Sequence, residues 1–109
     1  TEKTDQISNN RNPSISIIIP TYNSDKTLSS CLDSIKTQDY RGDIEIIIAD
    51  GCSTDNTLEI AQKYTDKIYP NPLKTGESGK AAGVKHAKNE IIALIDSDNI
   101  FHSGTGFPE

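Results

Sequence analysis

Two aspartates separated by one residue follow a short apolar run late in the chain and could bind a metal ion. The run is Ile91–Ile95, and Asp96-Ser97-Asp98 comes directly after it. In an extended segment, side chains two residues apart emerge on the same side, so both carboxylates could converge on one hard divalent cation and on diphosphate oxygens. Asp, Ser and Asn also favour turns, so a simple turn after a buried strand is the alternative interpretation.

A third aspartate, Asp50, follows another apolar run, Ile44–Ala49. A carboxylate at the end of a buried strand could accept a hydrogen bond from the N–H of a nucleobase. Because Thr54 and Asp55 stand at the start of the next helical pattern, Asp50 could equally serve as an Asx-turn or helix-capping residue.

The sequence pattern predicts the elements that position these aspartates. Short Ile-rich runs indicate buried strands, and apolar residues at steps of three and four indicate helices between them. Ser24 is predicted to cap the first helix. The predicted strands are residues 14–20, 44–49, 67–69 and 91–95, and the helical stripes are Leu28, Cys31, Leu32 and Ile35, then Leu58, Ala61 and Tyr64, then Ala81, Val84 and Ala87.

This alternation predicts an α/β fold whose parallel sheet has the strand order 3-2-1-4 and helices on both faces. Ligands bind beyond the carboxyl ends of the strands in such sheets. That rule selects three polar segments, which begin at Pro20, Asp50 and Asp96. We therefore expect these segments to lie at one edge of the domain.

Composition narrows the class of protein. The chain has 109 residues and a net charge of −5, which suits one domain and argues against a nucleic-acid partner. Residues 1–13 are predicted to be a flexible polar lead-in. Cys31 and Cys52 lack a metal-ligand spacing and are interpreted as free thiols. With no apolar run long enough for a bilayer and no secretion signal, we expect a cytoplasmic protein.

The three polar strand ends, in this order, resemble those of family 2 glycosyltransferases. The resemblance covers about residues 14–99, and its last motif is similar to the DXD signature of that family. It implies a Rossmann-like GT-A half-domain and inverting, metal-assisted transfer of a sugar from a UDP or GDP sugar to the hydroxyl of a glycan, lipid or other acceptor. The matching segments are Ile17-Ile18-Ile19-Pro20-Thr21-Tyr22-Asn23, Ala49-Asp50-Gly51-Cys52-Ser53-Thr54-Asp55 and Ala93-Leu94-Ile95-Asp96-Ser97-Asp98.

The resemblance also assigns roles to individual residues. It implies that the base and ribose are held by Pro20, Thr21, Tyr22 and Asp50. It places Lys80 near the diphosphate, although an ordinary exposed lysine is the alternative. It implies that Asp96 reaches the ribose and metal region, and that Asp98 ligates Mn²⁺ or Mg²⁺.

The chain departs from the family pattern at several points. The second acid of the second motif is absent from Asp50-Gly51-Cys52, and Lys80 stands where an arginine is common. Family members carry their general base beyond the DXD signature, so residues 14–109 are interpreted as the nucleotide-sugar-binding part, truncated before the acceptor-binding half. Neither His86 nor His102 is favoured as a substitute base. Membrane association would involve parts outside this chain, at the cytoplasmic face.

Three other functions are considered. The run Gly76-Glu77-Ser78-Gly79-Lys80 suggests a phosphate-binding P-loop, but it has two residues between its glycines where the motif needs four. A receiver-like signalling module would use Asp50 but would also need acids after the first strand. A nucleotide-binding α/β module without turnover remains as the alternative.

Overall fold

The computed structural model describes residues 13–38, 40 and 42–98. Strands and helices alternate along this part of the chain, as predicted. The elements are β1 (Ile15–Thr21), α1 (Leu28–Lys36), β2 (Ile44–Asp50), α2 (Thr57–Gln62), β3 (Ile68–Pro70), α3 (Gly76–His86) and β4 (Ile91–Leu94). The predicted lead-in lies outside the described residues apart from Pro13, which is exposed.

The four strands form one parallel sheet in the order β3-β2-β1-β4, which confirms the predicted topology. Strand β1 pairs with β2 over its whole length, from Ile15 opposite Ile44 to Thr21 opposite Asp50. Because all strands run in one direction, their carboxyl ends meet at the same edge of the sheet. The edge where β1 and β2 end is called the carboxyl edge below, and the opposite edge is called the amino edge.

Helices cover both faces of the sheet. On one face, alternate residues of β1 and β2 pack with α1 and α2 in a core that contains Ile17, Ile48, Leu32 and Ala61. The opposite face carries α3, whose Gly83 lies so close to Ile18 that an added Cβ would be 2.2 Å from the Ile18 Cγ2 atom. This contact explains why glycine rather than a larger residue faces the sheet there.

Two local predictions about the helices were wrong. Ser24 does not cap α1, which begins at Leu28. The Ser24 carbonyl accepts a turn hydrogen bond from the Leu28 amide, and its hydroxyl accepts one from the Tyr22 amide. In α3, Val84 does not face the sheet but is 45% exposed, because the helix packs through Gly79 and Gly83.

Both cysteines are free thiols, as predicted, with Cys31 buried and Cys52 exposed. Within the described ranges, the helices are all too short or too polar to cross a bilayer.

Candidate nucleotide-sugar site

The loops after β1 and β2 are tied together at the carboxyl edge. The Asn23 amide donates to the Ser53 hydroxyl over 2.8 Å, and the Asn23 side-chain oxygen accepts from the Thr54 amide over 2.8 Å. Asn23 has a φ of 48°, a left-handed conformation that asparagine tolerates better than most residues. These contacts fix the positions of both loops relative to each other.

The starts of α1 and α2 reinforce this connection. The Asp25 amide donates to the Asp55 carboxylate, and the Asp25 carboxylate accepts from the Asn56 amide. Desolvation raises the pKa of Asp55, but hydrogen bonds from Thr57 and Asp25 outweigh it and lower that pKa overall. Asp55 therefore stays ionised and serves to join the two helix starts.

Asp50 lies at the centre of the carboxyl edge and is only 5% exposed. One carboxylate oxygen accepts from the Thr21 hydroxyl at 2.7 Å and from the Ser53 hydroxyl at 2.6 Å, and the other accepts from the Ser53 amide at 2.8 Å. Asp50 therefore holds its own loop through the amide three residues ahead, rather than the amide two residues ahead that closes an Asx turn. Its three donors are all uncharged, so the negative charge of the carboxylate has no cationic partner among them.

A cleft of about 150 Å³ opens at Thr21, between the loop after β1 and the start of α3. Tyr22, which is 47% exposed, forms part of its wall, and the Lys74 ammonium lies 5.2 Å from the centre of the Tyr22 ring. The residues that line the cleft are Pro20, Thr21, Tyr22, Ser24, Asn71, Lys74, Thr75, Gly76 and Ser97.

The loop after β4 reaches the same region. The Ser97 hydroxyl lies 3.1 Å from that of Ser24, and the Lys80 ammonium lies 3.5 Å from an Asp96 carboxylate oxygen. Asp96 and Asp98 are both exposed, and Asp98 lies in a turn rather than in an extended segment. The two carboxylates are therefore not aligned by an extended backbone, contrary to the expectation from the sequence pattern.

Asp98 acts electrostatically on the neighbouring helix α1. Burial raises the pKa of the Cys31 thiol to about 11, and the negative charge of Asp98 adds to this increase. The Cys31 sulfur also lies 3.9 Å from the Asp96 carbonyl oxygen. Cys31 is therefore a protonated core residue behind the loop that carries the two aspartates.

A second, more apolar hollow of about 250 Å³ lies beside Asp50. It is lined by Asp50, Cys52, Leu58, Ile68, Tyr69 and Pro70. Asp50 thus lines the apolar hollow, and its hydrogen-bond partner Thr21 lines the polar cleft.

The structure brings most of the predicted site residues to the carboxyl edge. Thr21 and Asp50 are in direct contact, Pro20 and Tyr22 line the polar cleft, and Lys80 contacts Asp96. Gly79 permits the close approach of α3, because an added Cβ would be 2.6 Å from the Cβ of Pro20.

His86 lines neither of the two clefts. His86 stacks on Tyr69 at a centroid distance of 3.7 Å near the end of α3. His102 lies outside the described residues.

The sequence analysis missed three residues of the site. Ser53 binds Asp50, Lys74 lies in the cleft, and Asn71 is 3% exposed there, with its amide donating to the Asp50 carbonyl. Asn71 directly follows β3, so the strand-end rule that selected the other segments would have found it. Lys74 carries no comparable signal, because its position depends on the path of a loop.

The described residues contain no group of three or more His, Cys, Asp or Glu side chains that could hold a metal ion by themselves. Asp96 and Asp98 are therefore a pair of hard oxygen ligands. Magnesium-type sites commonly use one or two protein carboxylates and complete their shell with substrate phosphates and water. The pair suits a cation that arrives with a phosphorylated ligand.

The sheet order and the helices on both faces define a Rossmann-like α/β domain of the GT-A type. A sequence profile described as "Glycosyl transferase family 2" matches residues 16–105. The chain belongs to this family.

Known proteins of the family share the same fold. The chain is 35% identical over 97 residues to poly(ribitol-phosphate) beta-N-acetylglucosaminyltransferase TarS of Staphylococcus aureus, a match that covers 83% of this chain and 17% of TarS. It is 41% identical over 97 residues to the poly(ribitol-phosphate) beta-glucosyltransferase of Bacillus spizizenii, covering 82% and 15% of the two chains.

The similarity extends to solved structures. A crystal structure of TarS in complex with UDP matches with a TM-score of 0.68 and 33% identity, over 78% of this chain and 27% of that one. Glucosyl-3-phosphoglycerate synthase from Mycobacterium tuberculosis, in complex with Mn²⁺, UDP and glucosyl-3-phosphoglycerate, matches with a TM-score of 0.62 and 26% identity, over 78% and 33% of the chains. The chain thus spans less than two thirds of the proteins it matches.

Proposed function

We propose that this chain is the donor-binding part of an inverting, metal-assisted glycosyltransferase. The donor is a UDP or GDP sugar, and the acceptor is a hydroxyl of a glycan, a lipid or another molecule. The observation that carries the proposal is a polar cleft at the carboxyl edge that Thr21, Tyr22 and Ser97 line together. Thr21 is hydrogen-bonded to Asp50, and Ser97 directly follows Asp96, which is paired with Lys80. The resemblance and the sequence matches described above supply the class of reaction.

Asp50 has the capacity to recognise a nucleobase. An ionised carboxylate offers about four acceptor positions. Thr21 and Ser53 supply three donors, so about one position remains for a ring N–H of the base. Tyr22, with its ring half exposed at the cleft, provides a flat surface for the base or ribose.

The residues after β4 suit the diphosphate end of the donor. Asp96 and Asp98 would hold Mn²⁺ or Mg²⁺, because carboxylates are the hard ligands that these ions prefer. When bound, the cation would neutralise the charge that develops on the departing diphosphate. Lys80, 3.5 Å from Asp96, adds positive charge at the same place and holds the Asp96 carboxylate in position.

The relatives support these assignments. TarS is known in complex with UDP, and the mycobacterial synthase is known with Mn²⁺ and UDP. TarS is named as an N-acetylglucosaminyltransferase, and the mycobacterial enzyme is named as the synthase of a glucosyl compound. The free thiols Cys31 and Cys52 fit the proposed cytoplasmic location.

Calorimetric titration of the chain with UDP, GDP, UDP-N-acetylglucosamine and GDP-mannose tests the proposal. Each is added with Mn²⁺ and again with a chelator, and ATP and uridine serve as control ligands. We expect UDP or GDP to bind more tightly than the control ligands. Mn²⁺ should increase the affinity for that nucleoside diphosphate about 10-fold over its affinity with the chelator. A chain that binds neither diphosphate under either condition would contradict the proposed function.

A further inference from the structure

The backbone at Lys74 is held in a conformation that lysine rarely adopts. Its φ is 65°, in the left-handed region that favours glycine, and its amide donates to the Asn71 carbonyl over 3.0 Å. A residue other than glycine is strained in this conformation, and strained residues cluster at functional sites. Lys74 is therefore a lysine at a position whose backbone conformation favours glycine.

Gly51 lies against Lys74, and the close approach requires a glycine at position 51 or a shift of the lysine. A Cβ added at Gly51 would lie 3.2 Å from both the Cα and the Cγ of Lys74, closer than most side-chain contacts. A side chain at position 51 would therefore crowd the Lys74 backbone, so the glycine leaves room for the Lys74 loop at the carboxyl edge.

The Lys74 side chain lies at the polar cleft, where its charge is available to a ligand. Lys74 is the one charged side chain among the described residues that line the polar cleft. It takes part in no ion pair within the described ranges, whereas Lys80 is engaged with Asp96. Its present neighbour is the Tyr22 ring, at 5.2 Å, which is a weak and exchangeable partner for an exposed cation.

We propose that Lys74 is a donor-binding residue whose ammonium pairs with a phosphate of the nucleoside diphosphate. This proposal rests on the proposed function, because it assumes that the cleft binds a nucleotide. The phosphates carry the negative charge of such a ligand, and an ammonium on a flexible stem suits them as a point charge. Lys74 would then leave the Tyr22 ring and close over the phosphate.

Binding of uridine and UDP to the chain tests this role, with guanosine and GDP as a second pair. Lys74→Gln removes the charge and keeps most of the side chain. We expect it to weaken UDP or GDP binding by about 10-fold and to leave nucleoside binding within about twofold. Lys74→Arg should restore most of the affinity, and the difference between Lys74→Gln and the unmodified chain should shrink as salt rises.

Lys63→Gln, at the exposed end of α2, is the matched control and should bind like the unmodified chain. Circular dichroism of each variant shows that the fold is kept. Unchanged diphosphate binding in Lys74→Gln would overturn the proposal. Equal losses for nucleoside and diphosphate would also overturn it, because Lys74 would then act only by positioning Tyr22.

The proposed function and this inference fail in different ways. If the unmodified chain binds no nucleoside diphosphate, the proposed function fails and the role of Lys74 fails with it. If the unmodified chain binds UDP or GDP and Lys74→Gln binds equally well, only the role of Lys74 is refuted.

Discussion

The two ends of the β1–β2 pair carry the same arrangement of side chains in different electrostatic settings. At the amino edge, Ser16 is the register partner of Glu45 and donates to its carboxylate over 2.6 Å. At the carboxyl edge, Thr21 is the register partner of Asp50 and donates over 2.7 Å. Both carboxylates are at least nine-tenths buried.

The difference lies in the cations. Glu45 accepts from the Lys67 ammonium at 2.8 Å and lies 3.8 Å from that of Lys88, whereas Asp50 accepts from two hydroxyls and an amide. Burial alone would raise the pKa of Glu45, but hydrogen bonds from Lys67, Ser16 and the Lys88 amide lower it to about 2. The Glu45 carboxylate is paired with two ammonium groups of the protein, whereas the donors to the Asp50 carboxylate are uncharged.

The largest effect should come from breaking the amino edge. Glu45→Ala leaves Ser16 and Lys67 without their acceptor, and we expect it to lower the free energy of unfolding by about 2–3 kcal/mol. The estimate is below that for a fully buried pair because the Lys67 and Lys88 side chains are 34% and 71% exposed. Urea denaturation measures the change.

Glu90→Ala, at an exposed position before β4, is the control and should stay within about 0.5 kcal/mol of the unmodified chain. Nucleotide affinity of the folded Glu45→Ala variant should be unchanged. A Glu45→Ala variant as stable as the control would show that the amino edge network contributes nothing, and the contrast between the edges would disappear.

Lowering the pH should gradually remove the contribution of Glu45 to the free energy of unfolding. The pKa of Glu45 is about 2 in the folded chain and has its ordinary value of 4.5 when unfolded. The folded state therefore binds fewer protons, so this stabilisation is present above about pH 4.5 and is lost as the pH falls towards 2. Denaturation of the unmodified chain and of Glu45→Gln at several pH values measures the loss.

The stability difference between the unmodified chain and Glu45→Gln should narrow across that window. Glu90→Gln should follow the unmodified chain at every pH. A difference between Glu45→Gln and the unmodified chain that stays constant down to about pH 2 would contradict the assigned pKa.

The sequence was sufficient to predict the sheet because its signals are local. Ile-rich runs between helical patterns determine a parallel sheet, and the parallel direction places Asp50 and the Asp96 segment at one edge. The way in which the helices pack on the sheet was harder to predict from the sequence. The face of α3 depends on how closely Gly79 and Gly83 approach Pro20 and Ile18, which is a property of the assembled layers.

The interior of the site could be predicted only in part. Asp50 and Thr21 were selected by their positions after strands, but their mutual hydrogen bond depends on the β1–β2 register. Lys74 was missed because its place in the cleft results from a left-handed turn after Asn71. The serine and glutamate that interrupt the Ile runs at Ser16 and Glu45 were a visible signal for the amino edge pair.

The central claim is that the carboxyl edge binds a nucleoside diphosphate through two separate groups, Asp50 for the base and Asp98 for the metal. The most direct measurement is the affinity for UDP and GDP, with Mn²⁺ and with a chelator, of the unmodified chain, Asp50→Ala, Asp98→Ala and the exposed control Asp66→Ala. We predict that Asp98→Ala abolishes the gain from Mn²⁺. Asp50→Ala should weaken binding by about 1.5–3 kcal/mol with or without the metal, the range for a hydrogen bond to a charged group. Equal losses in Asp50→Ala and Asp98→Ala that do not depend on the metal would contradict the account.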